Sequence, residues 1–134
     1  MRKLKNWVHA YVEYAQEQES PDKFKLWGAL SVVAAALERN VYLDVGYATI
    51  YPNLYIILVG ESARVRKSAA ISGVQRIFKK ALPEVELLSQ KLSPEAMIAS
   101  LNEAYLASGE KTSAGYFIVD ELSVLLGGRQ KDAG

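Results

Sequence analysis

The chain has 134 residues, half of them hydrophobic and 23% charged, enough for one domain with a core, and this composition excludes wholesale disorder or a collagen-like fibre. Sixteen basic residues against fifteen acidic ones leave a formal charge of +1, so no global field draws the chain onto nucleic acid or an anionic membrane. With no cysteine there is no disulfide or thiolate metal site, and a single histidine, His9, argues against an imidazole metal cage while leaving an oxygen-bound Mg²⁺ open.

The basic start is not followed by the continuous apolar stretch and small-residue cleavage site of a signal peptide. The longest apolar run, residues 29–37, falls far short of the roughly 20 residues that span a bilayer. A soluble, cytoplasmic protein without membrane partners is therefore expected. Across residues 3–18, Leu4, Trp7, Val8, Tyr11, Val12 and Ala15 recur at spacings of three and four, which predicts an amphipathic helix. Ser20-Pro21 predicts a second helix over about 21–38, with serine as N-cap and proline at the first helical position, and its apolar middle predicts burial. Trp7, Tyr11, Tyr14 and Trp27 are expected to pack these two helices together. A base-stacking role for the aromatics beside Lys3, Lys5 and Lys25 is the functional alternative. His9 reads as a surface or half-buried helix residue and Asp44 as a turn residue.

After Asn40 the residues become β-branched and aromatic, with breaks at Gly46 and Pro52-Asn53, which predicts strands. Leu54 to Val59 shows no alternation and is expected to be buried on both faces, as in a central parallel sheet. An amphipathic helix follows from Ser68 to about Leu82, a short strand over 85–88, a helix opened by Ser93-Pro94, and a last strand in GYFIVDEL. This strand–helix–strand–helix–strand order calls for right-handed crossovers and a parallel sheet. The expected fold class is α/β: a helical region over 1–40, then a partial parallel-sheet core over 41–134.

The chemistry concentrates between Gly60 and Ser68. A phosphate loop needs a strand to fix it, backbone amides turned inward at a helix N-terminus, and a lysine for the β- and γ-phosphates. Gly60, Glu61, Ser62, Ala63, Arg64, Val65, Arg66, Lys67 and Ser68 stand where such a loop would lie. Lys67 is seven residues after Gly60 rather than six, and Arg66 replaces the glycine that precedes the lysine in the usual spelling. A loop longer by one residue still wraps phosphate provided that Arg66 is not forced to positive φ, where a side chain has a steric cost. Arg66 is also a candidate for extra charge at the site, and the bland alternative is a solvated basic loop. Two strand–helix units later, the apolar strand 116–119 ends at Asp120-Glu121. In a P-loop ATPase such a pair supplies an aspartate that holds Mg²⁺ through water and a glutamate that orients the attacking water. Acids capping a following helix are the alternative; together with the loop and the element order, the pair leads to the expectation of a partial P-loop NTPase core of the RecA-like, ASCE type over 41–134.

PNLYIILVGESARVRKS resembles the start of the ATPase domain in phage and plasmid primase-helicase proteins, which show Pro-Asn before the strand and a phosphate loop ending Arg-Lys-[Gly or Ser]. PDKFKLWGALSVVAAALERNVYL, LSPEAMIASL and GYFIVDEL are similar to that family in order and spacing, so the resemblance covers roughly residues 20–126. It implies ATP and Mg²⁺ as cofactors, Lys67 as the phosphate-binding lysine, Ser68 as the Mg²⁺ hydroxyl ligand, Asp120 as the Mg²⁺-side acid and Glu121 as the catalytic base. It also implies single-stranded DNA and a homo-oligomeric ring as partners of the full-length protein. Ala69 departs from relatives that carry threonine or serine two residues after the lysine. The sensor strand and arginine finger of such an ATPase would have to follow residue 134, so hydrolysis is expected of a longer protein rather than of this chain. The alternatives are a remnant acting as a non-enzymatic interaction or oligomerisation module, and a nucleotide or small-molecule kinase.

Overall fold

A computed structural model of the chain describes residues 6–61, 64–88, 92–109 and 113–120. It combines four helices with four short strands, so a mixed α/β character holds, in two compact units, Met1–Val85 and Glu86–Gly134. No helix of the described residues is long and apolar enough to cross a membrane.

In the first unit, α1 (Trp7–Tyr14) opens at Asn6, whose side chain accepts the His9 amide at 3.1 Å, and His9 itself is exposed. α2 (Asp22–Leu37) packs against α1 and against α3 (Lys67–Ala81). The core gathers Tyr11, Ala15, Ala29, Val32, Ala70, Val74 and Phe78 from these helices and the turn after α1. Gly28 lets α2 and α3 approach closely, because a Cβ there would lie 2.5 Å from Val74 Cγ2. Tyr11 is buried and stacks on Trp7 at 5.8 Å, as packing of the front helices requires. Tyr14 and Trp27, in contrast, face solvent, since α1 is only two turns long and α3 takes up part of the α2 surface. Lys25, offered as a base-stacking neighbour, is instead buried, with its ammonium 3.0 Å from Asp22 Oδ1.

The expected serine cap of α2 does not form. Pro21 occupies the N-cap, and Ser20 is buried without a hydrogen bond from its hydroxyl among the described residues. Residues 43–44 (β1) and 49–50 (β2) make an antiparallel hairpin whose turn is held by the Gly46 amide donating to Asp44 Oδ1 at 2.8 Å. The Arg39 guanidinium lies 4.2 Å over the Tyr51 ring and ties the end of α2 to the chain leaving the hairpin.

The larger correction concerns Leu54 to Val59. These residues join no ladder among the described residues and are not buried on both faces. Burial alternates instead: Ile56, Leu58 and Gly60 are half-buried, while Tyr55, Ile57 and Val59 face outward, Tyr55 almost completely. That is the period of two that an extended backbone imposes whatever its composition.

In the second unit, β3 (Glu86–Leu88) and β4 (Gly115–Phe117) pair in parallel, in the register Glu86 with Gly115 and Leu88 with Phe117. Between them runs α4 (Pro94–Ala107), the crossover that parallel strands require. Here the serine-proline signal works as expected, with Ser93 Oγ accepting the Ala96 amide at 3.2 Å and Pro94 opening the helix. A hydrogen bond from its own backbone amide, and after it one from the Ser93 side chain, hold the exposed Glu95 carboxyl below its usual range. Gly115 leaves room for Leu101 and Leu88, which would lie 2.9 and 3.1 Å from a Cβ there, so glycine permits the helix to lie close on the strand pair.

Candidate functional site

The loop from Gly60 to Lys67 joins the extended segment to the N-terminus of α3. A Cβ on Gly60 would lie 2.6 Å from Val65 Cγ2 and 3.4 Å from Phe24 Cζ, so the bare glycine allows Val65 to fold back and seat the loop on α2. Lys67 Nζ donates to the Gly60 carbonyl at 2.9 Å and closes the loop into a ring. Glycine and lysine, seven residues apart, are thus brought together by this hydrogen bond. Ser62 and Ala63 lie outside the described residues.

Arg66 adopts the left-handed conformation, φ 42° and ψ 47°. The condition that the longer loop avoid positive φ before the lysine is therefore not met: the backbone keeps the geometry that glycine usually supplies and imposes it on an arginine. The guanidinium is not turned to the loop's interior either, since its Nε lies 2.8 Å from Glu19 Oε2, in the turn between α1 and α2. Arg64 is likewise taken up, with Nη1 2.9 Å from Glu61 Oε2. Two of the loop's three cations therefore have carboxylate partners, while Lys67 is bonded to a neutral carbonyl and keeps its charge for an anion.

The helix end points the same way. Arg66 makes no side-chain hydrogen bond to the first-turn amides of α3, and that turn contains no acidic residue. The positive end of the helix dipole is thus not offset from within, and Ser68 stands exposed in its first turn. Lys67, Ser68 and the α3 amides form a surface able to accept several phosphate oxygens.

Asp120 lies exposed in the second unit, beyond β4, and Glu121 lies outside the described residues. Sequence reasoning missed Glu19. Its place opposite Arg66 had no signal in spacing, because it depends on how the α1–α2 turn lies along α3.

Replacing Arg66 by glycine is expected to stabilise the first unit by about 0.5–1 kcal/mol. Relief of the left-handed backbone, about 1–2 kcal/mol, exceeds the greater flexibility of unfolded glycine and the loss of one exposed ion pair. Urea denaturation of Arg66→Gly checks this, and a lower midpoint would mean that the Glu19 contact dominates. Comparison of the chain with protein-family models, characterised proteins and solved structures finds no match.

Proposed function

We propose that residues 60–68 are a variant phosphate-binding loop for a nucleoside triphosphate, ATP with Mg²⁺, and that the chain carries part of the ATPase core of a phage-type DNA primase-helicase. The observation that carries this reading is the ring closed by Lys67 on Gly60 at the uncapped N-terminus of α3. On arrival of a triphosphate, the Lys67 ammonium exchanges a neutral carbonyl for the β- and γ-phosphates, a gain in hydrogen-bond strength because the acceptor is charged. Ser68 would offer its hydroxyl to Mg²⁺, and the resemblance gives Asp120 the role of metal-side acid and Glu121 that of catalytic base. The metal would supply charge neutralisation to the phosphates. In the full-length protein this hydrolysis would drive movement along single-stranded DNA within a homo-oligomeric ring.

Calorimetric titration of the chain with inorganic tripolyphosphate and with ATP, with and without Mg²⁺, tests the site. Saturable binding of both, tightened by Mg²⁺, is expected; no heat up to millimolar ligand overturns the proposal.

A second reading draws on the outward row of Tyr55, Ile57 and Val59 along an extended backbone. Such an edge can accept a strand from a second copy or another protein, which would make the chain an oligomerisation or interaction module. Light scattering that shows a monomer at high concentration counts against self-association through this edge.

A further inference from the structure

Residues 13–22, which carry the turn between α1 and α2, contain four acids, Glu13, Glu17, Glu19 and Asp22, and no base. The loop from Glu61 to Lys67 has the opposite balance, three bases to one acid. Among the described residues, the ion pair that joins the two segments runs from Glu19 Oε2 to Arg66 Nε at 2.8 Å, with both side chains more than half exposed. The turn does not owe its place to that pair. Ala15 and Ser20 are buried on either side of Glu19, and Gln18 lies against α3, where a Cβ on Gly73 would come within 2.8 Å of its Nε2. Packing therefore delivers a carboxylate to the residue that precedes Lys67, and would do so without the ion pair.

The Arg66 backbone is fixed as well. Its carbonyl accepts the Ala69 amide at 3.0 Å and the Ala70 amide at 3.4 Å, so the side chain can change partner without moving the start of α3. An ion pair this exposed is weak, because water and salt screen it. A polyphosphate on Lys67 and the α3 amides would bring several negative charges beside Arg66. It would then compete with one carboxylate for a guanidinium whose fork matches phosphate as well as carboxylate.

We propose that Glu19 is an inhibitory latch on the phosphate loop: it holds Arg66 in the free protein, and a polyphosphate binds by taking Arg66 from it. The inference rests on the phosphate-loop reading and adds to it a regulatory residue outside the loop. Glu19 acts as a positioning residue, through Arg66 and without touching the anion. By linkage, whatever engages Glu19 from outside the chain tightens phosphate binding, and bound phosphate releases Glu19 to such a partner by the same factor.

The test is a set of titrations of the full chain with tripolyphosphate, on the wild type, Glu19→Gln, Glu17→Gln, Arg66→Ala, the double variant Glu19→Gln/Arg66→Ala, and Lys67→Ala. Glu17→Gln removes the same charge from the same turn, at an exposed residue that makes no ion pair among the described residues. Glu19→Gln should tighten tripolyphosphate about three- to fivefold, the upper part of the range for an exposed ion pair, and Glu17→Gln far less. In the Arg66→Ala background Glu19→Gln should gain no more than Glu17→Gln does. The sign separates a latch from a strut, since a merely structural Glu19 would weaken binding when replaced. Binding that is lost in Lys67→Ala but unchanged or weakened in Glu19→Gln overturns the latch and leaves the phosphate loop standing. Equal tightening by the Glu17 and Glu19 substitutions, or tightening that persists without Arg66, overturns it too, because general repulsion would then suffice. Absence of tripolyphosphate binding, or its survival in Lys67→Ala, overturns the phosphate loop and this inference with it.

Discussion

Truncating Phe78 to alanine is expected to destabilise the first unit by about 3–5 kcal/mol, the range found for deleting a buried aromatic side chain. Phe78 is 1% exposed, the largest fully buried side chain among the described residues, and it sits on the α3 face that packs against α2. Its removal loses both the transfer free energy of the ring and the contacts of the atoms around it, because a packed helix pair relaxes only partly. A unit of 85 residues has roughly 4–13 kcal/mol of stability at 0.05–0.15 kcal/mol per residue, so the substitution takes a large share of it. Both tryptophans of the chain, Trp7 and Trp27, belong to this unit, so their fluorescence in a urea titration reports its unfolding alone. A fall in midpoint of more than about 1 M is expected, since m-values for small proteins are about 1–3 kcal/mol per M. A fall equivalent to less than about 1 kcal/mol would mean that Phe78 does not organise the core. The conservative Phe78→Leu should cost far less, because it retains most of the buried volume.

The consequence reaches the loop. Gly60 lies against Val65 and against Phe24 of α2, while Lys67 opens α3, so the ring that Lys67 closes on Gly60 depends on the α2–α3 contact to which Phe78 belongs. On the proposed reading, loosening that contact is expected to weaken phosphate binding before the unit unfolds, through the position of the α3 amides rather than through any change of charge.

These elements differ in how far residue order alone could specify them. Ser93-Pro94 is a local signal read by local geometry, and α4 begins there. Ser20-Pro21 has the same spelling, yet the preceding residues are drawn along α3 by the Glu19 contact to Arg66 and by Gln18 against Gly73. The conformation of that turn is set by tertiary contacts, Ser20 is buried, and its hydroxyl no longer reaches the helix amides. A similar limit applies to Leu54–Val59. Composition reveals that the run favours an extended, apolar setting, but not whether strands lie on both sides of it, and here Tyr55, Ile57 and Val59 remain outward. The parallel pair of β3 and β4 around α4 was legible because a crossover helix between two apolar runs admits few other arrangements. In the loop, Gly60 and Lys67 draw attention by residue type, although their spacing is one residue longer than the usual pattern. The left-handed backbone at Arg66 does not, since an arginine is the residue least suggestive of it, and only the missing glycine hinted that something must take that position.

Lys67→Ala is expected to weaken triphosphate binding about a hundredfold while costing little stability. The two effects separate because the ammonium has different partners in the two states. In the free protein it donates one hydrogen bond to a neutral carbonyl, at 2.9 Å, worth about 1.5 kcal/mol, the low end for a charged donor because the lysine is only part-buried. Bound to phosphate it would face a multiply charged acceptor at a helix N-terminus, where a charge-assisted bond is roughly twice as strong and the ammonium's remaining protons are also engaged. Arg64 and Arg66 are poor substitutes, because each already has a carboxylate partner. Ligand-induced stabilisation follows RT ln(1 + [L]/Kd), so at a concentration one hundred times the original Kd the shift of about 2.7 kcal/mol should shrink to about 0.4 kcal/mol in the variant. Thermal melts of both proteins with and without tripolyphosphate read this directly. Lys67→Arg separates charge from shape: it keeps the cation, but its planar fork cannot sit at the Gly60 carbonyl as a compact ammonium does, so partial recovery of affinity is expected. If Lys67→Ala instead lowered the melting temperature strongly and left the phosphate-induced shift intact, Lys67 would be a strut of the loop, and the anion would have to be held by the α3 amides alone.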